Sequence, residues 1–228
     1  MTTPTLVLER LDVNIGRVPI LRSVSLTVPS GSIVGLVGHN GAGRTTTLRT
    51  VMGLLPRLAG RIRLDGVDIS DASPRQRAMA GIGYMPEERR LLTGITVEDN
   101  IRIPAWSLRL ADEAQRLAMI FDVIPELRPL AQRTAEQLSG GQQKLVALAR
   151  AFMYGRRLLL LDEPFEGVAP ALADRLGEVV QAFSQQGVSV LLAESDATRL
   201  EALADIVYTI ERGEIRDETV LRAPSGVA

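Results

Sequence analysis

The residues most able to do chemistry form a glycine-rich run, Gly38-His39-Asn40-Gly41-Ala42-Gly43-Arg44-Thr45-Thr46. The run fits the phosphate-binding pattern G-x-x-x-x-G-K-[ST] except at Arg44, which stands where the pattern has lysine. Its glycines permit positive φ values and let backbone amides turn toward a phosphate. Thr45 is placed to bind Mg²⁺ through its hydroxyl group. The run therefore predicts a nucleoside triphosphate site, and the alternative is a strand-to-helix turn whose glycines serve geometry alone.

His39 is the only histidine of the chain and lies inside this run. It occupies a variable position of the pattern and has no acidic or cysteine neighbours. We therefore expect a solvated residue of the phosphate loop, and we assign His39 neither of the alternative roles of general base or metal ligand.

Two carboxylates, Asp162 and Glu163, follow four consecutive leucines. Such an apolar run predicts a buried strand, and open α/β sheets bind ligands at the carboxyl ends of their strands. We expect Asp162 to hold Mg²⁺ and Glu163 to polarise an attacking water, as phosphoryl transfer requires. The alternative is that Asp-Glu-Pro only ends a strand and starts a turn.

Composition limits the classes of protein that this chain can belong to. Its 228 residues, 46% of them hydrophobic, can bury a core of ordinary size. The absence of cysteine excludes disulfides and thiolate metal sites, and a net charge of −1 gives no footprint for nucleic acid. The apolar runs are too short to span a bilayer, and residues 1–9 lack the pattern of a signal peptide. We expect a folded cytoplasmic protein.

The elements that must position these residues follow from hydrophobic periodicity and turn signals. Helical periodicity fills the region from Thr96 to about Met153, and residues 223–228 are expected to be disordered. Asn14-Ile15-Gly16 is predicted to be the turn of an opening antiparallel hairpin. Strands are predicted at Leu6–Val13, Val18–Val28, Ile33–Val37, Gly60–Leu64, Ile82–Met85, Arg157–Leu161, Val188–Ala193, Ile206–Ile210 and Glu214–Arg216, and helices at Thr45–Leu54, Pro74–Ala80, Val97–Ile103, Ala111–Val123, Gln142–Met153 and Ala171–Gln185.

A third motif lies shortly before the carboxylate strand, Leu138-Ser139-Gly140-Gly141-Gln142. Alone it could be a helix cap, but together with the other two motifs it resembles the signature of the ABC-type ATPases. In that family the signature faces the ATP that is held by a partner subunit. The resemblance thus implies ATP and Mg²⁺ as cofactors and a site shared across a dimer.

The resemblance covers nearly the whole chain and implies its architecture. The implied fold is α/β, a P-loop NTPase (RecA-like) core with an antiparallel β subdomain and an inserted helical subdomain. Residues 1–228 would form a single ABC ATPase domain. Residues 1–88 and 156–228 would form the nucleotide-binding core, and residues 89–155 the helical subdomain.

Within the family, three segments look most like the ATPases of branched-chain amino-acid importers, namely residues 83–90, 92–100 and 164–170. This likeness implies a second ATPase subunit, a membrane permease and, indirectly, an external solute-binding protein as partners. Residues 87–100 would help to form the groove for the permease, and residues 166–169 would cross the dimer axis. The protein would then lie on the inner face of the cell membrane.

Four residues depart from the general family pattern. Ile15 replaces the aromatic residue that stacks on adenine, and Arg44 replaces the lysine of the phosphate loop. Glu87 replaces a glutamine that contacts Mg²⁺, and Ser195 replaces a histidine near the γ-phosphate. We predict an importer ATPase with slowed hydrolysis. The alternatives are a non-hydrolysing regulatory subunit of an asymmetric pair and an ABC ATPase of DNA repair or translation, which the lack of a basic patch disfavours.

Overall fold

The structure, a computed structural model, describes residues 3–223 and consists of two sheets and the helices that cover them. Residues 224–228, which belong to the segment predicted to be disordered, lie outside the described residues. The strands are β1 (Leu6–Ile15), β2 (Val18–Val28), β3 (Ile33–Val37), β4 (Ala59–Leu64), β5 (Val67–Asp68), β6 (Ile82–Met85), β7 (Leu158–Asp162), β8 (Ser189–Glu194), β9 (Ile206–Glu211) and β10 (Glu214–Val220).

The first sheet has the order β2-β1-β4-β5 and is antiparallel. The predicted turn at Asn14-Ile15-Gly16 is wrong in its position, because β1 continues through Ile15, which pairs with Val18. The turn falls on Gly16 and Arg17, where Gly16 takes the left-handed φ of 61° that glycine tolerates best.

The second sheet has the order β10-β9-β3-β8-β7-β6, and its five strands from β9 to β6 are parallel. Both faces of this sheet are covered, which explains why β7 is leucine throughout before Asp162. Leu158 and Leu160 belong to the core shared with the antiparallel sheet, whereas Leu159 and Leu161 belong to the core under the helices.

The helices are α1 (Arg44–Val51), α2 (Pro74–Met79), α3 (Val97–Leu108), α4 (Glu113–Val123), α5 (Gly140–Tyr154), α6 (Pro170–Gln185) and α7 (Ala197–Leu203). The sequence prediction placed the end of α3 too early and the start of α5 too late, and it did not include β5 or α7. Helix α3 continues through Pro104, whereas α5 begins at Gly140 because Ser139 caps it. Within residues 3–223, no helix combines the length and apolar character needed to cross a membrane.

Helix α5 packs against α6 through two buried aromatic rings. The rings of Phe152 and Phe183 stack with their centroids 3.6 Å apart and their planes 8° from parallel. Both side chains are fully buried in the core under the helices. This stack joins the helix that begins at the signature to the helix that connects β7 and β8.

Candidate functional site

The phosphate loop connects β3 to α1, as the sequence predicts. Gly43 precedes the helix with φ 116°, a conformation that L side chains rarely adopt. A Cβ atom at Gly38 would lie 2.3 Å from the carbonyl oxygen of Ile210, so β9 requires glycine there. The amide of Gly213 donates to the carbonyl oxygen of Ala42 at 2.9 Å. The last hairpin of the chain therefore supports this loop from one side.

The residues of the loop differ in their accessibility. Its tip, formed by His39, Asn40 and Gly41, is exposed, whereas Thr45 and Thr46 are half-buried at the start of α1. Exposed amides ahead of a helix N-terminus are the arrangement that binds phosphate groups. The tip of the loop and the start of α1 are therefore placed where a phosphate group from solvent could reach them.

Arg44 is buried and folded back onto its own subunit. Only 5% of the residue is exposed, and its guanidinium donates to the carbonyl oxygen of Gly38 and to Oε1 of Glu163. A third contact reaches Oδ1 of Asn40 at 3.3 Å. The one side chain in the loop that could neutralise phosphate charge is thus paired with the carboxylate predicted to activate water.

Thr45 and Asp162 meet at the carboxyl edge of the parallel sheet. The Thr45 hydroxyl donates to Oδ1 of Asp162 at 3.0 Å, and the Tyr84 hydroxyl donates to Oδ2 at 3.2 Å. Burial raises the pKa of Asp162 and also raises that of Tyr84, to about 12, so the Tyr84 hydroxyl stays protonated. A hydroxyl and a carboxylate in contact are hard oxygen donors, which suit Mg²⁺.

Glu163 occupies a constrained turn directly after β7. Its φ of 48° is left-handed, which is uncommon for a residue other than glycine and is found at functional sites. Burial raises the pKa of its carboxyl group, and the charge of Arg44 opposes that shift. The charges of Glu166 and Glu87 raise it further. The turn therefore holds a carboxylate whose pKa lies above its ordinary value, as a general base requires.

Two buried residues that contact the turn at Glu163 were not predicted from the sequence. Lys144 on α5 is buried and donates to the carbonyl oxygens of Glu163 and Glu166. Glu194, the last residue of β8, accepts the amide of Phe165 at 3.0 Å, and burial raises its pKa to about 7. Lys144 could have been singled out as the only lysine of the chain, and Glu194 as an acid at the carboxyl end of a predicted buried strand.

Tyr84 was also missed, although it is the penultimate residue of β6 and so lies near the same sheet edge. Glu87 lies two residues beyond β6 and is exposed as a whole residue. Partial desolvation of its carboxyl group and the charge of Glu166 both raise the pKa of Glu87. Glu87 thus lies among the carboxylates that follow β6 and β7.

The signature lies at the N-terminus of α5 and faces outward. The Ser139 hydroxyl accepts the amide of Gln142 at 3.3 Å, and Gln142 Oε1 accepts the amide of Ser139 at 2.9 Å. Ser139 and Gly140 are exposed, and Gly141 and Gln142 are half-buried. The signature is therefore both a capping box and a free helix N-terminus that a phosphate from outside the subunit could reach.

Ile15 and Ser195 are exposed. Ile15 ends β1 at the tip of the first hairpin, and half of it is accessible. Ser195 follows β8 and is the neighbour of the buried Glu194. Ile15 has no hydrogen-bonding group in its side chain, and no hydrogen bond within residues 3–223 connects the Ser195 hydroxyl to the phosphate loop, so both roles remain predictions.

Comparison with known proteins identifies the family to which the chain is similar. The sequence profile of the ABC transporter family matches residues 21–166. The high-affinity branched-chain amino acid transport ATP-binding protein BraG of Pseudomonas aeruginosa is 32% identical over 207 residues, which cover 91% of this chain and 89% of BraG. The lipopolysaccharide export system ATP-binding protein LptB of Escherichia coli is 35% identical over 202 residues, covering 86% and 82%.

A solved structure shows the same likeness. The ADP conformation of MJ1267, an ATP-binding cassette of an ABC transporter, matches with a TM-score of 0.83 at 28% identity, covering 96% of this chain and 92% of that one. The fold and the phosphate loop thus define a P-loop NTPase. More narrowly, the chain belongs to the ABC transporter family and is an ATP-binding subunit of this class, whose ATPase activity is coupled to transport.

Proposed function

We propose that this chain is the ATP-hydrolysing subunit of an importer for branched-chain amino acids or related amides. The observation that carries the proposal is the meeting of Thr45 and Asp162 at 3.0 Å, with Glu163 next in the chain. The importer assignment is supported by the likeness to BraG and to the probable branched-chain amino acid transport ATP-binding protein LivF of Archaeoglobus fulgidus, 29% identical over 207 residues. The chain is also similar to LptB, whose name describes an export system. The direction of transport therefore needs an experiment of its own.

The chain's residues would act in a fixed order. The amides of residues 43–46 at the start of α1 would bind the β- and γ-phosphates, while Thr45 and Asp162 would hold Mg²⁺. Mg²⁺ held by these two residues would supply charge neutralisation for the triphosphate. Arg44 would leave Glu163 for the phosphates, which frees the carboxylate to accept a proton from the attacking water. Because Arg44 starts from a buried pair, we infer that this exchange slows hydrolysis.

The signature would complete the site of a second subunit. Ser139 and Gly140 are exposed at a helix N-terminus, and this exposure supports a contact with phosphate held by a partner. ATP binding would then close a dimer on a permease at the inner face of the membrane, and hydrolysis would reopen it. The partner is a second ABC ATPase subunit, identical or related.

Glu163→Gln tests the hydrolytic role. We expect the variant to bind ATP with unchanged affinity and to lose at least about a hundredfold in steady-state phosphate release, since a positioned base contributes roughly 10²–10⁴ in rate. Glu178→Gln is the matched control, because Glu178 pairs with Arg175 at 3.0 Å on the surface of α6. If Glu163→Gln hydrolyses ATP at the wild-type rate, Glu163 is not the base. If the wild type binds ATP without hydrolysing it, the regulatory-subunit alternative is favoured.

Dimer closure and substrate need separate experiments. In the Glu163→Gln background, light scattering should show an ATP-dependent dimer that Ser139→Arg abolishes, with ATP binding retained. ATP-driven uptake of labelled leucine by vesicles that contain the cognate permease tests the importer assignment. Efflux of lipopolysaccharide without leucine uptake would contradict it.

A further inference from the structure

Lys144 lies in the first two turns of α5, five residues after the signature serine, and is almost fully buried, with 3% of the residue exposed. Its Nζ atom donates to the carbonyl oxygen of Glu163 at 3.1 Å and to that of Glu166. Lys144 makes no ion pair within 4.0 Å in the part of the chain that the structure describes. A buried ammonium without an ion pair is costly, and burial lowers the pKa of Lys144 accordingly.

The two carbonyls belong to the turn that sets the direction of the Glu163 carboxylate. The amide of Glu163 donates to the carbonyl oxygen of Ala193 at 2.9 Å, and the amide of Phe165 donates to Glu194 at 3.0 Å. The bonds from β8 thus hold the amides of the turn, whereas Lys144 holds its carbonyls. A left-handed φ at Glu163 persists only where the surroundings fix it.

The residue type at 144 fits this task. Lys144 is the only lysine of the chain beside 25 arginines, so a lysine here departs from the composition. An ammonium carries three donors on one compact atom and can serve two converging carbonyls, whereas a guanidinium spreads its donors over a planar fork. The two carbonyls that Nζ reaches belong to one turn, which suits a compact donor group.

We propose that Lys144 is a positioning residue for hydrolysis: it fixes the backbone of Glu163 from α5 and thereby ties the signature helix of a subunit to that subunit's own carboxylate. The proposal rests on the proposed role of Glu163 as the base. A shift of α5 when Ser139 meets the partner's nucleotide would then move the turn at Glu163. Lys144 would connect the two nucleotide sites of the dimer through one side chain.

The test compares Lys144→Met with Arg116→Met. Arg116 on α4 is also a buried cation that donates to two backbone carbonyls of α5, those of Phe152 and Met153, at the opposite end of the helix. We expect Lys144→Met to lower kcat at least tenfold per mole of ATP-binding protein, with KM for ATP within twofold. Arg116→Met should lower thermal stability with kcat unchanged, and Lys144→Arg should recover part of kcat.

A double-mutant cycle separates positioning from a merely structural role. If Lys144 acts through Glu163, adding Lys144→Met to Glu163→Gln leaves the residual rate within twofold. A further tenfold loss in the double variant, or equal kcat in Lys144→Met and the wild type, would overturn the proposal. Unchanged turnover in Glu163→Gln alone would instead overturn the role of Glu163.

Hydrogen exchange supplies a readout that does not depend on turnover. In Lys144→Met the amides of Phe165 and Glu166 should exchange at least tenfold faster, while the same amides in Arg116→Met exchange as in the wild type. Equal protection in Lys144→Met and the wild type would show that Lys144 does not hold the turn.

Discussion

Arg44→Lys tests whether the arginine of the phosphate loop slows hydrolysis. In the present structure the fork of Arg44 contacts Gly38, Asn40 and Glu163 at the same time. Lysine keeps the charge but presents a single compact donor atom, so it cannot keep all of these contacts. Loss of one buried hydrogen bond to a charged group costs about 1.5 kcal/mol.

In Arg44→Lys this lost hydrogen bond destabilises the nucleotide-free state, in which Glu163 is paired and cannot accept a proton. A change of about 1.4 kcal/mol is tenfold in rate. We therefore expect Arg44→Lys to raise kcat/KM for ATP about tenfold, measured at ATP concentrations below KM, because ATP binding is the step in which Arg44 leaves Glu163. The measurement is steady-state phosphate release by the chain together with its ATPase and permease partners.

Arg57→Lys is the control, because Arg57 pairs with Asp71 at 2.8 Å on the surface, where 93% of the Asp71 side chain is exposed. A surface pair contributes roughly 0–1 kcal/mol, so turnover should not change. If Arg44→Lys turns over ATP at the wild-type rate or more slowly, the reasoning that the pair with Glu163 limits hydrolysis is wrong.

Four further substitutions test the fold around the site. Gly38→Ala should abolish ATP binding, because its Cβ would lie 2.3 Å from the Ile210 carbonyl oxygen. Gly41→Ala, whose Cβ would have no atom within 4 Å, should cost only about 1 kcal/mol of backbone strain. Calorimetric titration with ATP distinguishes the two variants, and equal affinities would contradict the packing argument. Glu194→Gln should remove a pH dependence of stability, because the pKa of Glu194 is about 7 in the folded protein and 4.5 ordinarily. The wild type should therefore lose about 2 kcal/mol of unfolding free energy relative to the variant as pH rises from 5 to 8. Urea unfolding measures this, and parallel stability curves for the two proteins would refute it. Phe183→Ala should cost about 3–5 kcal/mol of unfolding free energy through the cavity it leaves, and a loss below 1 kcal/mol in the same assay would show that the stacked rings repack.

The core elements could be predicted from the sequence because their signals are local. The four leucines of β7 and the glycines of the loop after β3 fix a buried strand and a strand-to-helix turn without reference to distant residues. The class of fold, a P-loop NTPase, is confirmed. The error at the first hairpin arose because Asn14-Ile15-Gly16 has turn composition, but pairing of Ile15 with Val18 extends β1 by two residues.

The contacts of the site could be predicted only in part. That Thr45 and Asp162 lie at one sheet edge follows from the rule for parallel strands. The pairing of Arg44 with Glu163, 119 residues away, depends on the rotamers of two buried side chains, which no periodicity encodes. Lys144 gave no signal by pattern either, because its partners are backbone carbonyls, and these are chemically the same at every residue.

The place of β3 in its sheet has a consequence for synthesis on the ribosome. This strand leads into the phosphate loop, yet both of its neighbours, β8 and β9, come more than 150 residues later in the chain. The turn at Gly213, which donates to Ala42, comes later still. A nascent chain thus cannot offer a finished nucleotide pocket until the residues through Gly213 have left the exit tunnel, so ATP cannot assist the folding of the segments made before them.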